Sequence, residues 1–154
     1  MISEAARLQA AFEEIVRANQ YMVLATSDEN GLPWASPVWY ATEDFCHFFW
    51  VSHPDARHST NLTVRAKLAI TIFDSQQPPG TGEGVYLSAV GAPVPEHDLD
   101  DGIAIFSGIS ERNGAPAWTR ADVTAPARHR LYRAAALERF VLSRHDERIR
   151  VPQR

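Results

Sequence analysis

The chain has 154 residues, of which 45% are hydrophobic and 22% charged, a composition that suits one soluble domain with a full core. Its net charge of −4 argues against a nucleic-acid backbone as main partner, since such binders present a basic face. Cys46 is the only cysteine, so no intrachain disulfide can form. Together with an N-terminus that lacks the basic start and apolar run of a signal peptide, and with no apolar run near the ~20 residues needed to span a bilayer, this gives a cytoplasmic, non-membrane expectation.

Ser3 is placed to cap a helix running to about Asn19, with Leu8, Phe12 and Ile15 on one face at helical spacing. Tyr21 to Thr26 is a nearly continuous apolar run and reads as a buried strand. Asp28-Glu29-Asn30-Gly31 is a hairpin turn, because Asn-Gly accepts the positive φ that such turns need. Pro33 to Ala41 reads as the return strand. Pro33 and Pro37 lack the ladder donor and so require an edge, a bulge or a non-bonded position. Phe45 to Val51 is an aromatic third strand, Asp55 to about Ala66 a short helix, Lys67 to Phe73 a fourth strand and Val85 to about Val94 a fifth. Consecutive short strands joined mostly by turns imply antiparallel pairing in a barrel or sandwich.

After Pro95 the texture changes. Leu99 to Arg112 has helical spacing, weakened by Gly102 and Gly108. Thr124 is a cap for a brief helix with Pro126 in its first turn. Leu131 to Ser143 reads as a closing strand with a kink near Ala134-Ala135-Ala136, and helix is the rival reading there. Arg144 to Arg154 reads as a polar tail. One domain over residues 1–154 is expected: an N-terminal helix at about 3–19, a barrel core at about 21–94, a helical segment at about 98–130 and a closing strand at about 131–143.

The stretch Trp50 to Leu62 is where chemistry is expected. A strand delivers the Ser52 hydroxyl to a Pro-broken turn, and a helix then begins with Arg57 and His58. Free N–H groups and the positive end of the dipole at a helix start favour an anion, and arginine adds a planar fork matched to phosphate oxygens. An ordinary strand–turn–helix corner with solvated charges is the alternative. Gly80-Thr81-Gly82-Glu83-Gly84 has neither the dinucleotide nor the P-loop spacing, and a strand follows it. There is no nucleophile-elbow motif, no histidine pair at zinc-binding helical spacing, and no carboxylate couple. No metal site and no catalytic acid or base are therefore nominated.

The ordered chain resembles the pyridoxamine 5′-phosphate oxidase-like, FMN-binding split-barrel family. The resemblance is carried by Leu24-Ala25-Thr26 with Asn30-Gly31-Leu32-Pro33, by Ser36-Pro37-Val38-Trp39-Tyr40, by Val51-Ser52 leading to Arg57-His58-Ser59-Thr60-Asn61-Leu62, and by Lys67 to Phe73. It covers roughly residues 10–94 well and the rest poorly. It implies a mainly β, six-stranded antiparallel split barrel with flanking helices, forming a homodimer with FMN between protomers. It further implies that Ser52, Arg57 and His58 grip the phosphate, and that Ser36, Val38, Trp39, Tyr40 and Val51 line the flavin. His58 stands where the family has a lysine, Ser36 where the true oxidases have an arginine, Ala41 where they have a lysine, and Gly84 near a flavin-contacting glutamine. These departures point away from genuine pyridoxamine 5′-phosphate oxidase activity. They point toward a flavin-dependent oxidoreductase acting on another small molecule. The alternatives are a reductase using the deazaflavin coenzyme F-420, a non-catalytic flavin or haem binder, and a split-barrel dimer that acts without a ligand.

Overall fold

The structure is a computed structural model, and residues 1–153 are described. Helix α1 (Glu4–Ala18) opens the chain, with the Ser3 hydroxyl accepting from the Ala6 N–H at 3.2 Å. Strands β1 (Tyr21–Ser27), β2 (Pro33–Trp39) and β3 (His47–Ser52) follow. Helix α2 (Arg57–Val64), β4 (Lys67–Phe73), β5 (Gly84–Pro93), α3 (Leu99–Arg112), β6 (Arg130–Leu142) and β7 (Arg148–Arg150) complete the order. All pairings are antiparallel, along the path β2-β1-β4-β5-β6-β3, with β7 added beside β6. The two ends of the path, β2 and β3, meet through one isolated bridge between Ala41 and Phe49. The sheet therefore curls without closing, which is the split-barrel arrangement.

Alternation explains which face is inside. Met22, Leu24 and Thr26 on β1, Leu68, Ile70 and Ile72 on β4, and Val85, Leu87 and Ala89 on β5 are buried. They enclose one core with Phe12, Ile15 and Val16 of α1. A second core lies outside the barrel, where Leu99, Ile103 and Phe106 of α3 pack on Phe49, Leu131 and Val94. Gly102 permits this contact. A Cβ there would lie 3.0 Å from Leu131 Cδ2 and 3.2 Å from Phe49 Cε1. The glycine that weakens α3 as an isolated helix is thus what lets α3 approach the sheet.

Several expectations are corrected. No helix starts at Thr124; a single turn forms there, with the Ala127 N–H donating to Thr124 O at 2.9 Å, and it follows a 3-10 turn at Arg120–Asp122 that is closed by a reciprocal capping box between Thr119 and Asp122. The C-terminal tail contains β7, and Val151 is 1% exposed in the barrel core. Its isolated Ile149 carried too little pattern to announce a strand, and pairing with β6 supplies the hydrogen bonds that local sequence cannot. The closing strand is continuous over 13 residues. Its irregularity falls at Leu137, the residue skipped between the Ser88–Glu138 and Ala89–Ala136 pairs, directly after the alanine run near which a kink is expected. Pro37 of β2 sits opposite Val23 of β1, and β2 is the edge strand, the position in which a missing donor is tolerated.

Candidate functional site

An open groove of about 360 Å3 runs between the barrel and the segment 113–129 that links α3 to β6. On the barrel side it is lined by Val38 and Trp39 of β2, Val51 and Ser52 of β3, and His58 of α2. These are five of the eight residues that the sequence nominates. They come together because β2 and β3 are the two ends of the sheet path, brought side by side by its curl.

His58 is 7% exposed and its Nε2 lies 2.8 Å from Ser52 Oγ, also buried. Burial lowers the imidazole pKa from its ordinary 6.5, because desolvation penalises the charged form. The ring is neutral at pH 7, unlike the lysine it replaces. Ser52 and His58 are locked together by register: Ser52 ends β3 opposite Arg130 of β6, and His58 sits in the first turn of α2. No side chain caps α2, so its first N–H groups lack an intrahelical or side-chain acceptor. Ser59 Oγ, on the same turn, is buried without a hydrogen-bond partner among the described residues.

The other three nominated residues do not line the groove. Arg57 is exposed and its guanidinium lies 4.5 Å from the Trp34 ring centroid, a cation–π contact that ties α2 to β2. Ser36 is half-buried on β2 opposite Leu24. Tyr40 is 4% exposed in the barrel core, and its hydroxyl reaches Val16 O at 2.6 Å and Asn19 O at 2.9 Å. Burial raises its phenol pKa. Tyr40 therefore anchors the end of α1. A larger hollow of about 460 Å3 lies at the C-terminal ends of α1 and α3, and of the nominated residues only Tyr40 borders it.

The far side of the groove was not foreseen from sequence. Phe106, Trp118 and His129 line it. Phe106 carried a signal only as part of a helical face. Trp118 and His129 lie in an aperiodic stretch whose placement depends on α3. The rings form an edge-to-face series: Trp39 to Phe106 at 4.7 Å, Phe106 to Trp118 at 5.6 Å, and Trp118 to His129 at 6.4 Å. Two hydroxyls of α3 hold the segment in place. Ser107 Oγ accepts from the Trp118 N–H at 2.8 Å, and Ser110 Oγ donates to Pro116 O at 2.7 Å.

A curled, open antiparallel sheet with a groove between its two ends defines a split-barrel protein. The pyridoxamine 5′-phosphate oxidase family model matches residues 8–141, and the chain belongs to that family. Among solved structures it is similar to a heme binding protein from Mycobacterium smegmatis, with a TM-score of 0.74 and 16% identity, over 97% of this chain and 58% of that one. The chain therefore spans little more than half the length of that protein. It is also similar to HutZ, the heme storage protein from Vibrio cholerae (TM-score 0.67, 20% identity, 87% of this chain and 94% of that one). A FAD-binding protein from Mesorhizobium loti has a TM-score of 0.64 and 16% identity, over 86% of this chain and 90% of that one. At these identities the likeness is one of fold. No curated protein matches the sequence. No helix among the described residues is long and apolar enough to cross a membrane.

Proposed function

We propose that the protein binds FMN in this groove and serves as a flavin-dependent oxidoreductase on a small molecule other than pyridoxamine 5′-phosphate. The observation that carries the reading is the buried Ser52–His58 pair at the uncapped start of α2, opening onto a groove walled by Val38, Trp39 and Val51. The residues present fit the cofactor: the groove-lining Ser52 hydroxyl and the uncapped N–H groups at the α2 start suit a phosphate, and the apolar strand residues suit a planar ring. Arg57, one residue before His58, would turn from Trp34 to add its charge. When bound, FMN supplies the hydride-transfer chemistry. Ser52, His58 and Arg57 would hold its phosphate, while Val38, Trp39 and Val51 would shield the ring from water.

A homodimer accompanies this reading. The outward face of β1, β2, β4 and β5 presents exposed Ala25, Ala35, Ala69 and Val90, an apolar surface of the kind that a second copy covers. A haem reading is the second one, favoured by His129, an exposed imidazole on the groove rim.

Titration of the purified protein with FMN, riboflavin, deazaflavin coenzyme F-420 and haem tests the proposal. FMN is expected to bind at least about tenfold tighter than riboflavin, since charge-assisted phosphate contacts are each worth about 1.5–3 kcal/mol. Equal affinities for the two would refute the phosphate site. A Soret band with no flavin uptake would favour haem.

A further inference from the structure

We infer that the wall formed by Trp118 and His129, backed by the buried Phe106, binds a planar, uncharged aromatic molecule, which is the substrate class of the groove. The inference extends the flavin reading: the barrel side of the groove is left to the cofactor, and the opposite wall takes the partner.

The wall is aromatic and built in advance. Phe106 is 2% exposed and fixed in the second core. Trp118 packs against that core, and its backbone N–H is held by Ser107. The segment just beyond it is tied to the start of α3 and closed on itself. Arg120 pairs with Glu96 and Asp100, and Thr119 with Asp122. Rings held in this way lose little freedom when a flat ligand settles against them, and aromatic pairs contribute beyond the area that they bury.

Charge narrows the ligand further. Among the described residues, those lining the groove include no carboxylate, lysine or arginine. A cationic ligand would find ring faces but no carboxylate to neutralise its charge there, and an anionic one would have to reach the α2 start already assigned to the phosphate. The polar groups left are imidazoles, hydroxyls and the indole N–H donors of Trp39 and Trp118. His129 is exposed at the rim, where it can exchange one hydrogen bond with a ligand hydroxyl or carbonyl. A mostly apolar lining with a few placed polar groups is the usual composition of a small-molecule site.

The probe is 2-naphthol, measured by titration calorimetry on the full chain, with and without saturating FMN. Decahydro-2-naphthol tests planarity, and 2-naphthylmethylammonium tests charge. Expected results are that 2-naphthol binds at least about tenfold tighter than either control. Trp118→Leu, which keeps apolar volume, should weaken 2-naphthol about tenfold, while Trp118→Phe stays within about threefold. His129→Ala, at an exposed position that leaves the fold intact, should weaken it about threefold. FMN affinity, recorded separately, should change less than 2-naphthol affinity in all variants. Failure of FMN to bind while 2-naphthol still depends on Trp118 would remove the flavin reading and leave this inference standing. FMN binding with no 2-naphthol uptake would overturn it, as would equal 2-naphthol affinities in the native protein, Trp118→Leu and His129→Ala.

Discussion

Two glycines on α3 give the same substitution opposite expected signs. Alanine in place of glycine inside a helix gains about 1 kcal/mol from propensity alone. At Gly108 nothing lies within 4 Å of the added Cβ, so Gly108→Ala should stabilise by up to about 1 kcal/mol. At Gly102 the same Cβ would meet Leu131 Cδ2 at 3.0 Å and Phe49 Cε1 at 3.2 Å. Leu131 is 2% exposed and Phe49 5% exposed, so neither can swing into solvent. Overpacking of this type costs about 1–3 kcal/mol. Set against the propensity gain, Gly102→Ala should be neutral to about 2 kcal/mol destabilising. Urea unfolding of the three proteins measures the difference, with the midpoint shift read at unchanged slope. Phe106 lies one helical turn beyond Gly102 and lines the groove, so Gly102→Ala should also weaken ligands seated there, and Gly108→Ala should not. Equal stabilisation by both substitutions would refute the claim that Gly102 sets the distance between α3 and the sheet.

Three further outcomes are expected. Arg57→Ala should weaken FMN most and Arg57→Lys should lie between it and the native protein, because lysine keeps the charge and loses the fork; folding should change by no more than about 1 kcal/mol, the worth of an exposed cation–π contact, and fluorescence titration reads the order. Tyr40→Phe should destabilise by about 1–3 kcal/mol, since the buried Val16 and Asn19 carbonyls lose their donor, while FMN affinity stays unchanged; a large affinity loss without a stability loss would place Tyr40 at the flavin. Burial holds the His58 pKa below 6.5 in the folded state, so the unfolded chain takes up the extra proton first as pH falls. The stability contribution of neutral His58 is then complete above about 6.5 and lost below it, with a slope no steeper than about 1.4 kcal/mol per pH unit; His58→Gln should flatten that part of the pH–stability curve, and an unchanged curve would contradict it.

Local pattern was sufficient wherever burial and hydrogen bonding close within a short stretch. Ser3 and the spacing of Phe12 and Ile15 announce α1, Asn30-Gly31 announces the first hairpin, with Gly31 at φ 80°, and the periodicity of Leu99 to Arg112 survives two glycines to become α3. The nearness of Ser52 and His58 was also legible, because six residues spanning a strand end and a helix start leave the two side chains little choice. What depended on tertiary structure was everything whose partner is remote in sequence. Tyr40 reads as one more aromatic of a flavin-lining strand, yet a seat for its hydroxyl on the carbonyls of Val16 in α1 and Asn19 just past its end, 24 and 21 residues away, turns it into the core. β7 exists because Phe140, Val141 and Leu142 of β6 offer a free edge to three residues with almost no pattern of their own. Trp118 is set by an α3 hydroxyl and by the close approach that Gly102 allows, and His129 meets it only as a ring neighbour. A sequence read residue by residue carries propensities and spacings; a groove assembled from both ends of a curled sheet and a linking segment is a property of the closed fold.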